Sequence, residues 1–207
     1  MSRCYSRFPV AWIVGCGWIL SVGVGCTSAP VRYYTLTPPP GREAPAALTT
    51  PAIDVRIVHA TPQLNRSELM VRSGASEVVI LENEKWAAPV ADEITHALRL
   101  ELQRRLSRTN VLGPDIARLT LEVDVQHFDA ELGRYALLET AWRASMYSAA
   151  GRATGGPTAA CAFRAEEKIN AGYADMVAGY QREISALADA IVAALARSTD
   201  ASYAPCH

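Results

Sequence analysis

The sequence lacks a charge excess of either sign, is poor in histidine, and carries none of the short signatures that mark common catalytic sites. Its formal charge is −1 over 207 residues, without the basic surplus that binding a phosphate backbone requires, so no nucleic-acid partner is expected. His59, His96, His127 and His207 never fall at a metal-ligand spacing such as i, i+4 on one helix, and each reads as a surface or sheet residue. There is no CxxC, HExxH, GxSxG, P-loop or GxGxxG, which removes the usual redox, metalloprotease, serine-hydrolase, nucleotide and dinucleotide sites. No internal repeat marks a solenoid or propeller. A nucleophile assembled from distant positions would escape such motifs, but no segment concentrates perturbable groups. We therefore expect a protein that is not an enzyme and has no cofactor or metal.

What the chain does have begins at its N-terminus. Arg3 and Arg7, with no acid beside them, precede an apolar run from Phe8 to Gly25 that ends in small residues before Cys26. That is the layout of a secretory signal; an uncleaved membrane anchor is the alternative, weakened by Gly15, Gly17, Gly23 and Gly25. The box Gly23-Val24-Gly25-Cys26 resembles a lipoprotein signal end, although Gly23 stands where leucine is usual. Ile13-Val14-Gly15-Cys16 fits the box better but leaves too short an apolar core after Arg7.

We accordingly read residues 1–25 as signal peptide, 26–30 as a short lipidated tether, 31–198 as the folded domain and 199–207 as a tail. Cys26 is the expected lipid attachment site, as a thioether to diacylglycerol, and acylation of its new amino group would strengthen the anchor. Thr27 rather than Asp follows it, favouring the outer membrane, facing the periplasm. Cleavage removes Arg3 and Arg7 and takes the formal charge to −3. Cys4 and Cys16 leave with the signal, so only Cys161 and Cys206 remain as thiols in an oxidising space, either bonded to each other or both free.

Half the residues are hydrophobic and a fifth charged, a balance that supports one folded domain of this length. Strand patterns occur at residues 31–36, at Ile53, Val55 and Ile57, and at residues 68–72 and 77–81 around a Ser73–Ser76 turn. Pro38–Pro40, Pro45 and Pro51 mark an extended connection. Val90, Ile94, Ala97, Leu98 and Leu102 then repeat at helical spacing behind Pro89, with Leu100 off that face. Arg104, Arg105 and Arg108 complement the dipole at the helix end and read as solvated.

Beyond this helix, Leu119 to Val125 alternate cleanly, Leu138 to Met146 form an antiparallel partner after a turn near Gly133-Arg134, and residues 159–166 add a third strand with Cys161 and Phe163 on one face. Tyr173, Val177, Tyr180, Ile184, Leu187, Ile191 and Leu195 form the stripe of a long final helix. The order of elements gives an α+β fold, a mainly antiparallel sheet packed against two helices in a single domain.

Three segments carry a resemblance. Tyr33-Tyr34-Thr35-Leu36 soon after Cys26, the run from Pro62 to Arg72, and Lys85-Trp86-Ala87-Ala88-Pro89-Val90 opening a helix are together similar to the ABC-type transport auxiliary lipoproteins. The chain departs from that pattern with Asn65 for Asp, Ser67-Glu68 for Pro-Gln, and Ala88 for Glu. The resemblance, spanning residues 26 to about 197, implies a non-catalytic auxiliary of an intermembrane lipid-transport system. Its partners would be a mammalian-cell-entry (MCE) domain protein and ABC transporter components, with a homo-oligomer as a further expectation. The alternative is an envelope lipoprotein that itself binds lipid or another apolar ligand between the sheet and the last helix. Arg66, Arg72 and Trp86 are the candidate contact residues, each readable as partner-facing or structural; Trp86 is placed to staple the start of the helix onto the sheet.

Overall fold

The computed structural model describes residues 29–39, 52–58, 61–108, 112, 115–153 and 159–198. Residues 1–28, which hold the expected signal peptide and Cys26, all of residues 40–51 and the 199–207 tail, including Cys206, lie outside them. In chain order the elements are β1 (Arg32–Tyr34), β2 (Ala52–Val58), β3 (Glu68–Ser73), β4 (Glu77–Trp86), α1 (Val90–Leu106), β5 (Ile116–Glu131), β6 (Tyr135–Ser148), β7 (Ala159–Lys168) and α2 (Tyr173–Ser198).

The α+β architecture is as expected, but the strands divide into two sheets, each mixed. One has the order β1-β4-β3 and the other β2-β5-β6-β7. β1 runs parallel to β4 and β2 parallel to β5, while the three hairpin pairs are antiparallel. Period-2 alternation reports only that one face of a strand is buried, which is equally true of both pairings.

The four-stranded sheet carries both helices on one face, α1 over β2 and α2 over β6 and β7, with the helices packed side by side. Leu119, Leu121, Val123 and Val125 of β5 and Leu138, Trp142, Ala144 and Met146 of β6 supply the sheet's share of the core. Ile94, Ala97, Leu98 and Leu102 of α1 meet Tyr180, Ile184, Leu187, Ile191 and Leu195 of α2 in the same cluster. α2 approaches closely because Gly179 has no side chain: a Cβ there would lie 2.8 Å from Ile169 Cγ2 and 3.3 Å from Ala136 Cβ.

Arg105 corrects the reading of a solvated helix end. It donates to Asp189 Oδ1 at 2.6 Å and to Ser185 Oγ at 2.8 Å on α2, and pairs with Glu101, itself buried, on its own helix. This clasp joins α1 to α2, and the Arg105 hydrogen bond holds the Asp189 carboxyl below its usual range.

Candidate functional site

The segments that carry the family-like pattern converge where the small sheet meets the large one. The N-terminus of α1 has Pro89 at its cap and no side-chain cap bond, so its first amides need other acceptors. The 64–66 segment supplies them: the Arg66 carbonyl accepts the Val90 N–H at 3.2 Å and the Leu64 carbonyl accepts the Ala91 N–H at 2.9 Å. Ser67 accepts the Trp86 N–H at 2.6 Å, and Tyr34 accepts the Ala87 N–H at 2.7 Å. The Pro62–Arg72 run therefore holds α1 in place through its backbone.

The chain just after β1 is held at the same junction. Glu93, buried in the first turn of α1, accepts from Thr35 Oγ1 and from the Leu36 N–H, both at 2.8 Å, while Gln181 Nε2 of α2 donates to the Thr35 carbonyl at 3.1 Å. Leu36 is fully buried beneath these bonds. Tyr34 donates to Glu84 Oε2 at 2.7 Å, and burial first, then that carboxylate, pushes the Tyr34 phenol up.

Between β3 and the far end of β5 lies a cleft of about 300 Å³. Its apolar lining includes Leu64, Met70, Trp86, Phe128 and Tyr180, and polar residues include Gln63, Glu68, Arg72, His127 and Asp129. Phe128 and Tyr180 stack with centroids 3.9 Å apart, and Trp86 leans on them at 6.0 and 6.2 Å. Phe128 faces inward because a register shift between Val125 and His127 resets the alternation of β5. The sequence reading missed both Phe128 and Asp129; the loss of alternation after Gln126 is the signal that marks them.

The structure places the candidate residues in different roles. Arg72 crosses the cleft to Asp129, 3.1 and 3.2 Å from its two carboxylate oxygens, bracing the β3–β4 hairpin against β5, and this bond raises the guanidinium pKa. Arg66 stays on the exposed side, with Nε 3.3 Å from Glu68 Oε2. Trp86 is only 2% exposed, its ring against Phe128 and Tyr180. Cys161, opposite Trp142 in register, is half-buried. Among the described residues, no group of three or more His, Cys, Asp or Glu side chains is arranged to hold a metal ion, and no helix is long and apolar enough to cross a membrane.

The family model of the ABC-type transport auxiliary lipoprotein component matches residues 34–192, and the chain belongs to that family. Among solved structures, one described only as an uncharacterised protein matches with a TM-score of 0.55 at 19% identity, over 80% of this chain and 98% of that one. Protein XCC0632 from Xanthomonas campestris matches with a TM-score of 0.51 at 16% identity, over 85% of this chain and 99% of that one. At such identities the likeness is one of fold. A search of curated proteins finds no match.

Proposed function

We propose that the chain is a non-catalytic adaptor, tethered by lipid on Cys26 to the periplasmic face of the outer membrane, that serves an MCE-type intermembrane transport system and its ABC transporter. Family membership over residues 34–192 carries the reading. The clamp at Thr35 and Leu36 supports it. Thr35 follows Cys26 by nine residues, which reach at most about 30 Å when fully extended. Force between a docked partner and the anchor then passes into Glu93 of α1 and Gln181 of α2 rather than into a loose end.

The carrier alternative has less support. Ile184, Leu187, Ile191 and Leu195 of α2 are at most 1% exposed against the sheet, leaving no room for lipid at that interface. The cleft is at the lower limit of ligand-pocket size and is braced by an ion pair, which suits one anchoring side chain of a protein better than an acyl chain.

Affinity purification of the acylated protein from native membranes tests the adaptor role. An MCE-domain protein and transporter subunits should co-purify; recovery of a lone monomer would overturn the reading, and stoichiometric lipid without protein would favour the carrier. We propose further that Cys161 pairs with Cys206, tying the tail to β7. Intact-mass analysis of the mature chain should then find a lipidated Cys26 and no free thiol, whereas two titratable thiols would reject the bond.

A further inference from the structure

Among the described residues, one edge of the small sheet is left open. β3 pairs along one side of β4, but on the other side β1 covers only Glu84–Trp86, so among the described residues Glu77–Asn83 has no strand against it. β1 stops there for a chemical reason: the residue after next toward its N-terminus is Pro30, which has no amide hydrogen to continue the ladder. The open stretch reads Glu-Val-Val-Ile-Leu-Glu-Asn, and Val78, Val79 and Ile80 are 40%, 38% and 42% exposed. Natural edge strands are usually blunted by lysine, proline or inward-pointing charge, and none of these interrupts Val78–Leu81.

We propose that this edge of β4 receives a β-strand from a protein partner, one whose apolar residues are flanked by cations. The molecule already uses that chemistry on the same edge, where β1 adds in parallel and Arg32 Nη1 sits 3.4 Å from Glu84 Oε1. Farther along, Glu77 and Glu82 are exposed and bracket the apolar run, and neither carboxylate has a salt-bridge partner among the described residues. A strand with a cation opposite each would complete both the hydrogen-bond ladder and the ion pairs.

A second copy of the chain fits less well. Antiparallel self-pairing centred between Val79 and Ile80 sets Glu77 opposite the partner's Glu82 twice, and like charges directly across a ladder repel. The inference deepens the adaptor reading by naming the chemistry of a partner, yet its test does not depend on which transport system the chain serves.

The probe is a blocked synthetic peptide, Lys-Val-Thr-Val-Thr-Lys, added to the purified full chain in detergent, with hydrogen–deuterium exchange read by mass spectrometry. Protection should appear over Glu77–Asn83. The Glu-flanked analogue should bind about tenfold more weakly, and the Glu77→Lys/Glu82→Lys variant should invert that preference. N-methylation of alternate peptide amides should abolish binding, because a strand contact runs through the backbone. Both substitutions are at exposed positions, and an unchanged thermal melt confirms the fold. Protection elsewhere, no protection, or equal affinity for the two peptides would overturn the proposal. So would concentration-dependent self-association that Val79→Asp abolishes, which would assign the edge to a second copy. Loss of transport partners in membrane purification with peptide binding intact would instead count against the adaptor reading alone.

Discussion

Glu183→Leu is expected to stabilise the protein at pH 8 by about 2 kcal/mol or more and to flatten its stability profile between about pH 4.5 and 8. Glu183 lies on α2, one turn beyond Gly179, fully buried, and neither carboxylate oxygen has a hydrogen-bond partner. Burial first, and then the charges of Glu167 and Glu166, push its pKa to about 8, while the nearby Glu167 backbone, outside hydrogen-bonding geometry, and the charge of Arg182 oppose the rise. Arg182 is engaged with Glu167 at 2.8 Å.

The sign follows from proton linkage. Between the ordinary glutamate pKa and about 8 the folded state holds a proton that the unfolded state has released. Stability therefore falls as pH rises through that window and levels off above it, by a total on the order of 4 kcal/mol for an unrelaxed site. Leucine removes the titration and keeps the volume. Urea midpoints at pH 5 and pH 8.5 provide the check: the wild-type protein should lose stability over that interval by more than the variant does. Parallel losses would mean that the carboxylate finds water or a cation in solution. Ionisation would also place a negative charge near the Tyr180 ring, whose own pKa is held well above its usual value chiefly by burial and next by Glu183.

Glu183 also illustrates what the sequence could and could not convey. The stripe from Tyr173 to Leu195 located α2 and its buried face correctly, because helical periodicity depends on side-chain polarity alone. A glutamate on the edge of such a stripe is ordinarily solvated, and only the close approach permitted by Gly179 and the sheet beneath it buries this one. The role of Arg105 is hidden in the sequence for the same reason: its partners Ser185 and Asp189 come from a helix some 80 residues away. The alternation from Leu119 to Val125 was legible, whereas the register shift that turns Phe128 inward depends on how β6 pairs with β5. Strand existence is a local property; the parallel pairing of β2 with β5, and hence the division into two sheets, is not.

Trp86→Ala should lower stability by about 3–5 kcal/mol, the range for removing a large aromatic from a packed core. The ring fills the junction where β4 ends, α1 begins and the Phe128–Tyr180 stack closes the cleft. Its backbone N–H keeps the Ser67 carbonyl whatever the side chain is, so the loss is one of packing and not of hydrogen bonding. Trp86→Phe should retain most of the contact and cost about 1–2 kcal/mol. Because so little of the indole is exposed, a partner could reach it only by first opening the cleft, against the Arg72–Asp129 brace. Partner recovery measured well below the variant's melting temperature should therefore stay near the wild-type level for Trp86→Phe, and should decline for Trp86→Ala only in step with the unfolded fraction. A Trp86→Ala protein that melts like the wild type yet loses its partners would make this residue a recognition element and not the wedge on which α1 is seated.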